Sequence, residues 1–229
     1  MTAEPPDLPR VIGHRGAAGL APANTLAGLH AAAGAGCRWV ELDVRLSADR
    51  VPVLHHDRAV GANTGHPVAT RTAAELARAD GSVATLDAAL AEAGRLRLGV
   101  NLEIKADDDD VDALVARTAA VVAGAPNVVE LISGFCDAAL AAARRHVPAV
   151  PRALLMQRPR VSWQDSVSAV AAGTLTMADG FVTPAFVAAA RRAGFAVSVY
   201  TVNDPERARA LWEWGVSAVF TDRPDRVCP

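Results

Sequence analysis

The 229-residue chain has almost no lysine and no excess of charge of either sign. Its 23 basic residues are all arginine except Lys105, and 25 acidic residues bring the formal net charge at pH 7 to -2. Nucleic-acid binding and polybasic membrane anchoring both depend on a surplus of basic residues. We therefore expect neither a nucleic-acid partner nor a membrane anchor.

Long apolar runs and cysteine pairs are also missing. Arginines such as Arg117 interrupt the alanine-rich stretches, so no segment predicts a transmembrane helix. Residues 1–10 contain acids and prolines without the apolar core of a signal peptide. The cysteines Cys37, Cys136 and Cys228 show no CxxC spacing, which indicates reduced, packed thiols. Together these features predict a cytoplasmic protein.

Several nucleotide and hydrolase motifs are absent. The chain contains no Walker loop and no GxSxG elbow, and the first strand is not followed by a glycine-rich dinucleotide loop. What it does contain is a regular alternation of short apolar runs with alanine-rich amphipathic runs. Strands are expected at 10–14, 38–45, 51–55, 97–104, 128–133, 152–156, 195–202 and 217–221. Helices are expected at 23–35, 86–93, 111–123, 138–146, 184–193 and 205–214.

This alternation predicts an α/β fold in one domain spanning 1–229. A parallel sheet closed into a TIM-type (β/α)8 barrel is favoured, with an open doubly wound sheet as the rival. Segment 58–94 has little strand pattern and reads as a small cap over one barrel mouth. The aspartate run 107–110 is expected to start the following helix.

One pair of strands cannot be parallel. Only six residues separate Val44 from Val51, too few for a parallel crossover. We expect a hairpin through Ser47 that brings His56 level with Glu41.

Two strands carry acidic residues at alternate positions. Glu41 and Asp43 share one face of the first, and Glu103 shares a face with Lys105 on the second, with apolar residues between them. Buried together, these carboxylates would repel one another unless a cation offset their charge. An all-oxygen set suits Mg²⁺ or Ca²⁺ better than zinc. Solvated acids on half-exposed strands are the alternative.

Histidines follow two other strands. His14 and Arg15 end the first strand and His56 ends the third, which is where barrel active sites lie. Two imidazoles can serve as general base and general acid near neutral pH, and the guanidinium of Arg15 can bind phosphate oxygens.

Short motifs occur in order along nearly the whole chain. The N-terminal motifs are Gly13-His14-Arg15-Gly16, Pro22-Ala23-Asn24-Thr25, Glu41-Leu42-Asp43-Val44, Asp49 and His56-Asp57. The later motifs are Glu103-Ile104-Lys105, Ser133-Gly134-Phe135, Tyr200-Thr201-Val202-Asn203 and Thr221-Asp222-Arg223-Pro224. In these motifs the chain resembles the glycerophosphodiester phosphodiesterase family.

The resemblance implies a TIM-type barrel that hydrolyses small glycerophosphodiesters to sn-glycerol 3-phosphate and an alcohol. It implies His14 and His56 as the acid–base pair and one divalent cation, Mg²⁺ or Ca²⁺. The implied ligands of this cation are Glu41, Asp43 and Glu103, and the implied substrate contacts are Arg15, Lys105 and Tyr200. Two positions depart from the family pattern, Ala23 where glutamate is usual and Tyr200 where tryptophan is frequent, and both bear on substrate preference.

Two alternatives remain open. One is a related barrel phospholipase, either sphingomyelinase D-like or phosphoinositide-cleaving, and the other is a catalytically silent barrel that binds phosphodiesters. The sequence does not indicate an oligomeric state or a head group. We expect Lys105 to have a functional role, because it is the single lysine in a chain that otherwise uses arginine. Its compact ammonium would lie beside the expected cation.

Overall fold

A computed structural model describes residues 5–61, 65–106 and 110–228. Parts of the expected cap and of the aspartate run, at 62–64 and 107–109, lie outside the described residues, as do 1–4 and 229. The strands are β1 (Val11–Gly13), β2 (Trp39–Leu46), β3 (Pro52–Leu54), β4 (Ala59–Val60), β5 (His66–Pro67), β6 (Gly99–Ile104), β7 (Val129–Gly134), β8 (Arg152–Met156), β9 (Thr174–Ala178), β10 (Ala196–Tyr200) and β11 (Ala218–Thr221). The helices are α1 (Leu26–Gly34), α2 (Ala73–Ala79), α3 (Leu86–Arg95), α4 (Val111–Ala123), α5 (Asp137–His146), α6 (Trp163–Ala169), α7 (Pro184–Arg192), α8 (Pro205–Glu213) and α9 (Pro224–Val227).

Eight parallel strands close into a barrel, which confirms the TIM-type fold. Around the barrel their order is β1-β11-β10-β9-β8-β7-β6-β2, and β1 also pairs with β2 to close the ring. Strand β9 is not evident in the sequence because polar Thr174 and Thr176 interrupt its apolar residues. Both threonines are buried, and the hydroxyls of Thr176 and Ser198 lie 2.8 Å apart. The short helices α2, α6 and α9 and the short strands β4 and β5 are likewise absent from the expected elements.

The alternation along β2 sorts side chains between two layers. Val40, Leu42 and Val44 are fully buried in the large cluster that joins the barrel wall to the surrounding helices. Trp39, on the opposite face, belongs to a smaller cluster with Phe220 that contains side chains from several barrel strands. Glu41 and Asp43 share the inward face with Trp39, as the sequence predicts for a strand buried on both sides.

The expected hairpin forms between β2 and β3. The two strands are antiparallel, and Ser47 holds the turn by bonding to Asp49 and Val51. Val44 pairs with Leu54, so continuation of this register places position 56 opposite Leu42. The expectation that His56 would lie level with Glu41 is therefore wrong by one residue.

The described part of segment 58–94 contains the short strands β4 and β5, the helix α2 and most of the helix α3. β4 pairs with β5, and α2 begins with a capping box in which Thr72 and Glu75 satisfy each other's backbone donors. The last helix of this stretch, α3, packs against α1 and α4. Among the described residues, no helix is long and apolar enough to span a bilayer.

Candidate active site

Three carboxylates meet inside the C-terminal mouth of the barrel. Glu41 and Asp43 lie on β2 and Glu103 on the adjacent β6, where Asp43 and Glu103 are register partners. One ligand oxygen from each lies within 4.8 Å of the others, and all three side chains are buried. The structure thus brings together the three acids that the sequence predicts as cation ligands.

The electrostatics of this cluster favour a bound positive charge. Burial, followed by the charges of Asp43 and Glu103, raises the pKa of Glu41 well above its ordinary value. Burial and the charge of Asp43 raise the pKa of Glu103 to about 7. Among the described residues, Glu41 Oε1 has no hydrogen-bond partner. A buried carboxylate oxygen without a donor is a position that a hard cation can satisfy.

Lys105 lies where the sequence places it, on the same face as Glu103. Its Nζ donates to Glu103 Oε1 and lies 3.0 Å from Asp43 Oδ1. Burial alone would lower the pKa of Lys105, but the charges of Asp43 and Glu103 outweigh burial and raise it. The ammonium therefore stays charged and offsets part of the negative cluster.

Asp43 is held by the loop between β1 and α1. Asn24 donates from Nδ2 to Asp43 Oδ2 at 2.8 Å, and its Oδ1 accepts from the Asp43 backbone N–H at 3.0 Å. Arg15 Nε lies 3.4 Å from the same Oδ2. Burial raises the pKa of Asp43, but Lys105, Asn24 and Arg15 together bring it below its ordinary value. Asp43 is thus an ionised, oriented carboxylate.

His14 lies at the end of β1, against the carboxylate cluster. Its Nε2 is 3.8 Å from Glu41 Oε2, and that oxygen also accepts from the backbone N–H of Arg15 at 2.9 Å. Its Nδ1 is 2.7 Å from Asp222 Oδ1, beyond the end of β11. The tight turn after His14 needs glycine at position 13, because a Cβ there would lie 2.0 Å from Gly16 O.

His56 follows β3 and faces the opening from the other side. Its Nδ1 is 2.7 Å from Asp57 Oδ1. Its carbonyl oxygen accepts from Nε and Nη2 of Arg45, a buried arginine two residues beyond Asp43. Burial lowers the pKa of His56 below its ordinary value. Both predicted histidines therefore turn Nδ1 toward a carboxylate and leave Nε2 as the free nitrogen.

Two cavities adjoin the cluster, and Glu103 lines both. The outer one, about 350 Å³, also contacts His56, Lys105 and Phe135. The inner one, about 20 Å³, contacts His14, Glu41 and Tyr200. The rings of Tyr200 and Phe135 meet edge to face with centroids 6.1 Å apart. Burial and the charge of Glu103 raise the pKa of Tyr200 to about 12, which keeps the phenol protonated.

Sequence reasoning from the residues assigned no role to several polar side chains that hold the site. Asn24, Arg45, Asn203 and Asp222 are not among the predicted site residues. Ala23, one of the two departures from the family pattern, is exposed next to Asn24. Two of these polar residues could have been predicted from their positions in the sequence. Asn203 and Asp222 follow β10 and β11, and residues after barrel strands lie at the mouth that holds the active site. Their partners lie elsewhere in the chain and only the fold shows them.

The donor set fits a hard divalent cation. It consists of three buried carboxylates from two adjacent strands, one of which keeps an oxygen without a donor among the residues described. Neither histidine nor cysteine belongs to this cluster, which matches the oxygen-ligand preference of Mg²⁺ and Ca²⁺.

Comparison with known proteins agrees with this geometry. A phosphodiesterase of Oleispira antarctica, solved in complex with its product sn-glycerol-3-phosphate, superposes with a TM-score of 0.91 at 30% identity over 96% of both chains. A glycerophosphodiester phosphodiesterase of Agrobacterium tumefaciens superposes with a TM-score of 0.79 at 26% identity, over 97% of this chain and 100% of that one. The Bacillus subtilis protein YqiK is 27% identical over 96% of this chain and 97% of its own.

The family match covers the barrel from its first histidine to its last helix. Residues 14–226 match the glycerophosphoryl diester phosphodiesterase family. This span contains the carboxylate cluster, both histidines and Lys105. The chain belongs to the glycerophosphoryl diester phosphodiesterase family and is an enzyme that hydrolyses glycerophosphodiesters.

Proposed function

We propose that the protein hydrolyses glycerophosphodiesters to sn-glycerol 3-phosphate and an alcohol, using one divalent cation, Mg²⁺ or Ca²⁺. The observation that carries the proposal is the buried cluster of Glu41, Asp43 and Glu103 with a histidine on each side of it. The product-bound Oleispira antarctica relative, alike over almost the whole chain, supports the choice of product.

The cation would be held by the three carboxylates. When bound, it supplies a positive charge that polarises phosphate oxygens and offsets charge that develops on them. Lys105 lies against two of the ligands and Arg15 against one, so both place positive charge at the same point. We assign these two side chains to binding the non-bridging phosphate oxygens, where they favour the more highly charged transition state.

The two histidines divide the proton transfers. One removes a proton from the attacking oxygen, that of water or of the glycerol 2-hydroxyl, as a phosphorus–oxygen bond forms and the bond to the leaving oxygen breaks. Attack by the 2-hydroxyl gives a cyclic phosphate, which water then opens to sn-glycerol 3-phosphate. The other histidine gives its proton to the leaving alcohol. His14 lines the inner cavity and His56 the outer one, so their side chains flank the cluster from two directions. General acid–base catalysis of this kind contributes about 10²–10⁴-fold.

Tyr200 and the outer cavity are assigned to substrate positioning. Tyr200 stays protonated and donates to Met156 O at 3.4 Å, so its ring presents an uncharged wall beside the cluster. Segment 58–94 begins with Arg58 at the rim of the outer cavity. We propose that this rim contacts the leaving alcohol.

The proposal is tested by assaying alcohol release from a glycerophosphodiester with His14→Ala and His56→Ala. Each variant should lose at least about 10²-fold in kcat, because each removes one proton-transfer group. His146→Ala, at the end of α5 and remote from the barrel mouth, is the control and should keep wild-type turnover. Near-normal kcat in a folded His14 or His56 variant would refute the role assigned to that histidine.

A further inference from the structure

A directed chain of hydrogen bonds lies behind His14. Asn203 Oδ1 accepts from Thr221 Oγ1 at 3.0 Å and from the backbone N–H of Asp222 at 2.8 Å. Because both of these groups are donors here, the oxygen of the Asn203 amide must face them. Its Nδ2 then faces Asp222 Oδ2, 3.0 Å away, and donates to it. The other oxygen of Asp222 is left for His14 Nδ1 at 2.7 Å.

The direction of this chain decides which nitrogen of His14 carries the proton. Burial raises the pKa of Asp222, but its hydrogen bonds to His14 and Asn203 outweigh burial and lower it, so the carboxyl is ionised. An ionised carboxylate only accepts hydrogen bonds. Nδ1 of His14 must therefore be the protonated nitrogen. Nε2, the nitrogen nearer Glu41, is then the one that faces the carboxylate cluster and can exchange a proton there.

We propose that Asp222 is a positioning residue that holds His14 in this tautomer and orientation, and that Asn203 holds Asp222 in turn. This inference rests on the proposed function, since it gives Asp222 a purpose only if His14 transfers protons. A histidine oriented by a carboxylate, with its second nitrogen free for chemistry, is the arrangement found in Ser-His-Asp triads.

The carboxylate beside the other histidine is more exposed and comes from a neighbouring residue in the chain. The partner of His56 is its chain neighbour Asp57, whose side chain is 76% exposed, whereas that of Asp222 is 28% exposed. Asp222 lies near the C-terminal end of the sequence, and the side chain of Asn203 holds it in place. The hydrogen bond between Asp222 and His14 therefore depends on the tertiary structure. Its removal should change the orientation and tautomer of His14 and leave His56 unaffected.

The most specific substitution is Asp222→Asn. It preserves the shape of the side chain but replaces one accepting carboxylate oxygen with an NH₂ group that donates. The amide oxygen of the new side chain must accept from Asn203 Nδ2, because that group is a donor fixed by its own partners. The new NH₂ group then faces His14 Nδ1 and forces it to accept. The proton of neutral His14 moves to Nε2, and the imidazolium form loses its carboxylate partner, so His14 exchanges protons less well in either role. We expect kcat to fall at least about 10²-fold while KM stays within about threefold, because Asp222 is assigned no contact with the substrate.

Five proteins separate positioning from a structural effect: wild type, Asp222→Asn, His14→Ala, the double variant, and Asp225→Asn as control. Asp225 lies three residues further on, in α9, and pairs with Arg223. If Asp222 acts through His14, Asp222→Asn lowers kcat in the wild type but causes no further loss in the His14→Ala background. Additive losses, or a kcat no lower than that of Asp225→Asn, would overturn the proposal.

A second readout does not depend on turnover. Nitrogen-15 chemical shifts of the His14 ring should report a protonated Nδ1 in the wild type and a protonated Nε2 in Asp222→Asn. An unchanged His14 tautomer would overturn the proposal even if kcat fell. A wild type that cleaves no glycerophosphodiester would instead refute the proposed function, while the tautomer measurement would still show whether Asp222 orients His14.

Discussion

The substitution Glu41→Gln separates two effects of the buried carboxylates: they lower the stability of the metal-free protein, and they act as cation ligands. In the metal-free protein, Glu41 holds its proton more tightly than the unfolded chain does, because burial and two neighbouring carboxylates raise its pKa. Stability is therefore lost as the pH rises above the ordinary glutamate value of 4.5. The amide of Glu41→Gln carries no charge and can accept from the backbone N–H of Arg15 as Oε2 does. At pH 7.5 the metal-free variant should melt at or above the wild-type temperature.

With the cation bound, the wild type should melt at a higher temperature than Glu41→Gln. A ligand at about 1,000 times its Kd stabilises the folded protein by about 4 kcal/mol. For a domain of this size, about 2–4 °C of Tm accompany each kcal/mol, so the wild-type Tm should rise by about 8–16 °C. Loss of one carboxylate ligand should weaken cation binding by about 100-fold. This is the largest loss of affinity that is usual when a residue that merely hydrogen-bonds to a metal ligand is replaced. The stabilisation then falls to about 1.4 kcal/mol and the Tm shift to about 3–6 °C.

The assay is thermal melting at pH 7.5 in EDTA and in saturating Mg²⁺ or Ca²⁺, for wild type, Glu41→Gln and Glu130→Gln. Glu130 is an exposed glutamate on β7 and serves as the matched control, with a wild-type shift expected. An equal cation-dependent shift in Glu41→Gln and wild type would refute the assignment of Glu41 as a ligand. A metal-free Glu41→Gln that melts well below the wild type would refute the electrostatic argument.

Three further substitutions test the supports of the site. Lys105→Arg should lower kcat at least about tenfold while Tm changes by only a few degrees, because a longer side chain with a planar guanidinium does not reproduce the compact ammonium that contacts both Asp43 and Glu103; wild-type turnover would contradict this role. Asn24→Ala removes both hydrogen bonds that Asn24 makes with Asp43 and should cost about 1–3 kcal/mol in urea unfolding; an unchanged free energy of unfolding would show that these bonds are not needed. Gly13→Ala places a Cβ 2.0 Å from Gly16 O, so Tm and turnover should fall together; an active variant with wild-type Tm would contradict the steric requirement for glycine at this turn.

The sequence was sufficient for the barrel and for the charged residues on its inner face. Strict alternation in β2 and β6 places Glu41, Asp43 and Glu103 on one side, and the parallel register then brings Asp43 beside Glu103. Strand β9 was hidden because Thr174 and Thr176 lie inside the barrel. A polar residue buried in a barrel interior looks like a solvent-facing residue in the sequence.

The contacts made by the residues that orient the site could not be predicted from sequence patterns, although Asn24 and Asp222 lie in the motifs that carry the family resemblance. Asn24 bonds to Asp43 only after the loop following β1 turns back, with Asn24 at a positive φ of 60°. Asp222 meets His14 because the last and first barrel strands are neighbours, although 208 residues separate the two in the chain. Such contacts follow from barrel closure, and no local periodicity encodes them.

The most direct test of the central claim is phosphorus-31 NMR of the products formed from a glycerophosphodiester, with and without EDTA. The account predicts sn-glycerol 3-phosphate together with the free alcohol, loss of turnover in EDTA, and recovery when Mg²⁺ or Ca²⁺ is restored. Release of a phosphorylated head group, or full turnover after complete removal of divalent cations, would contradict it.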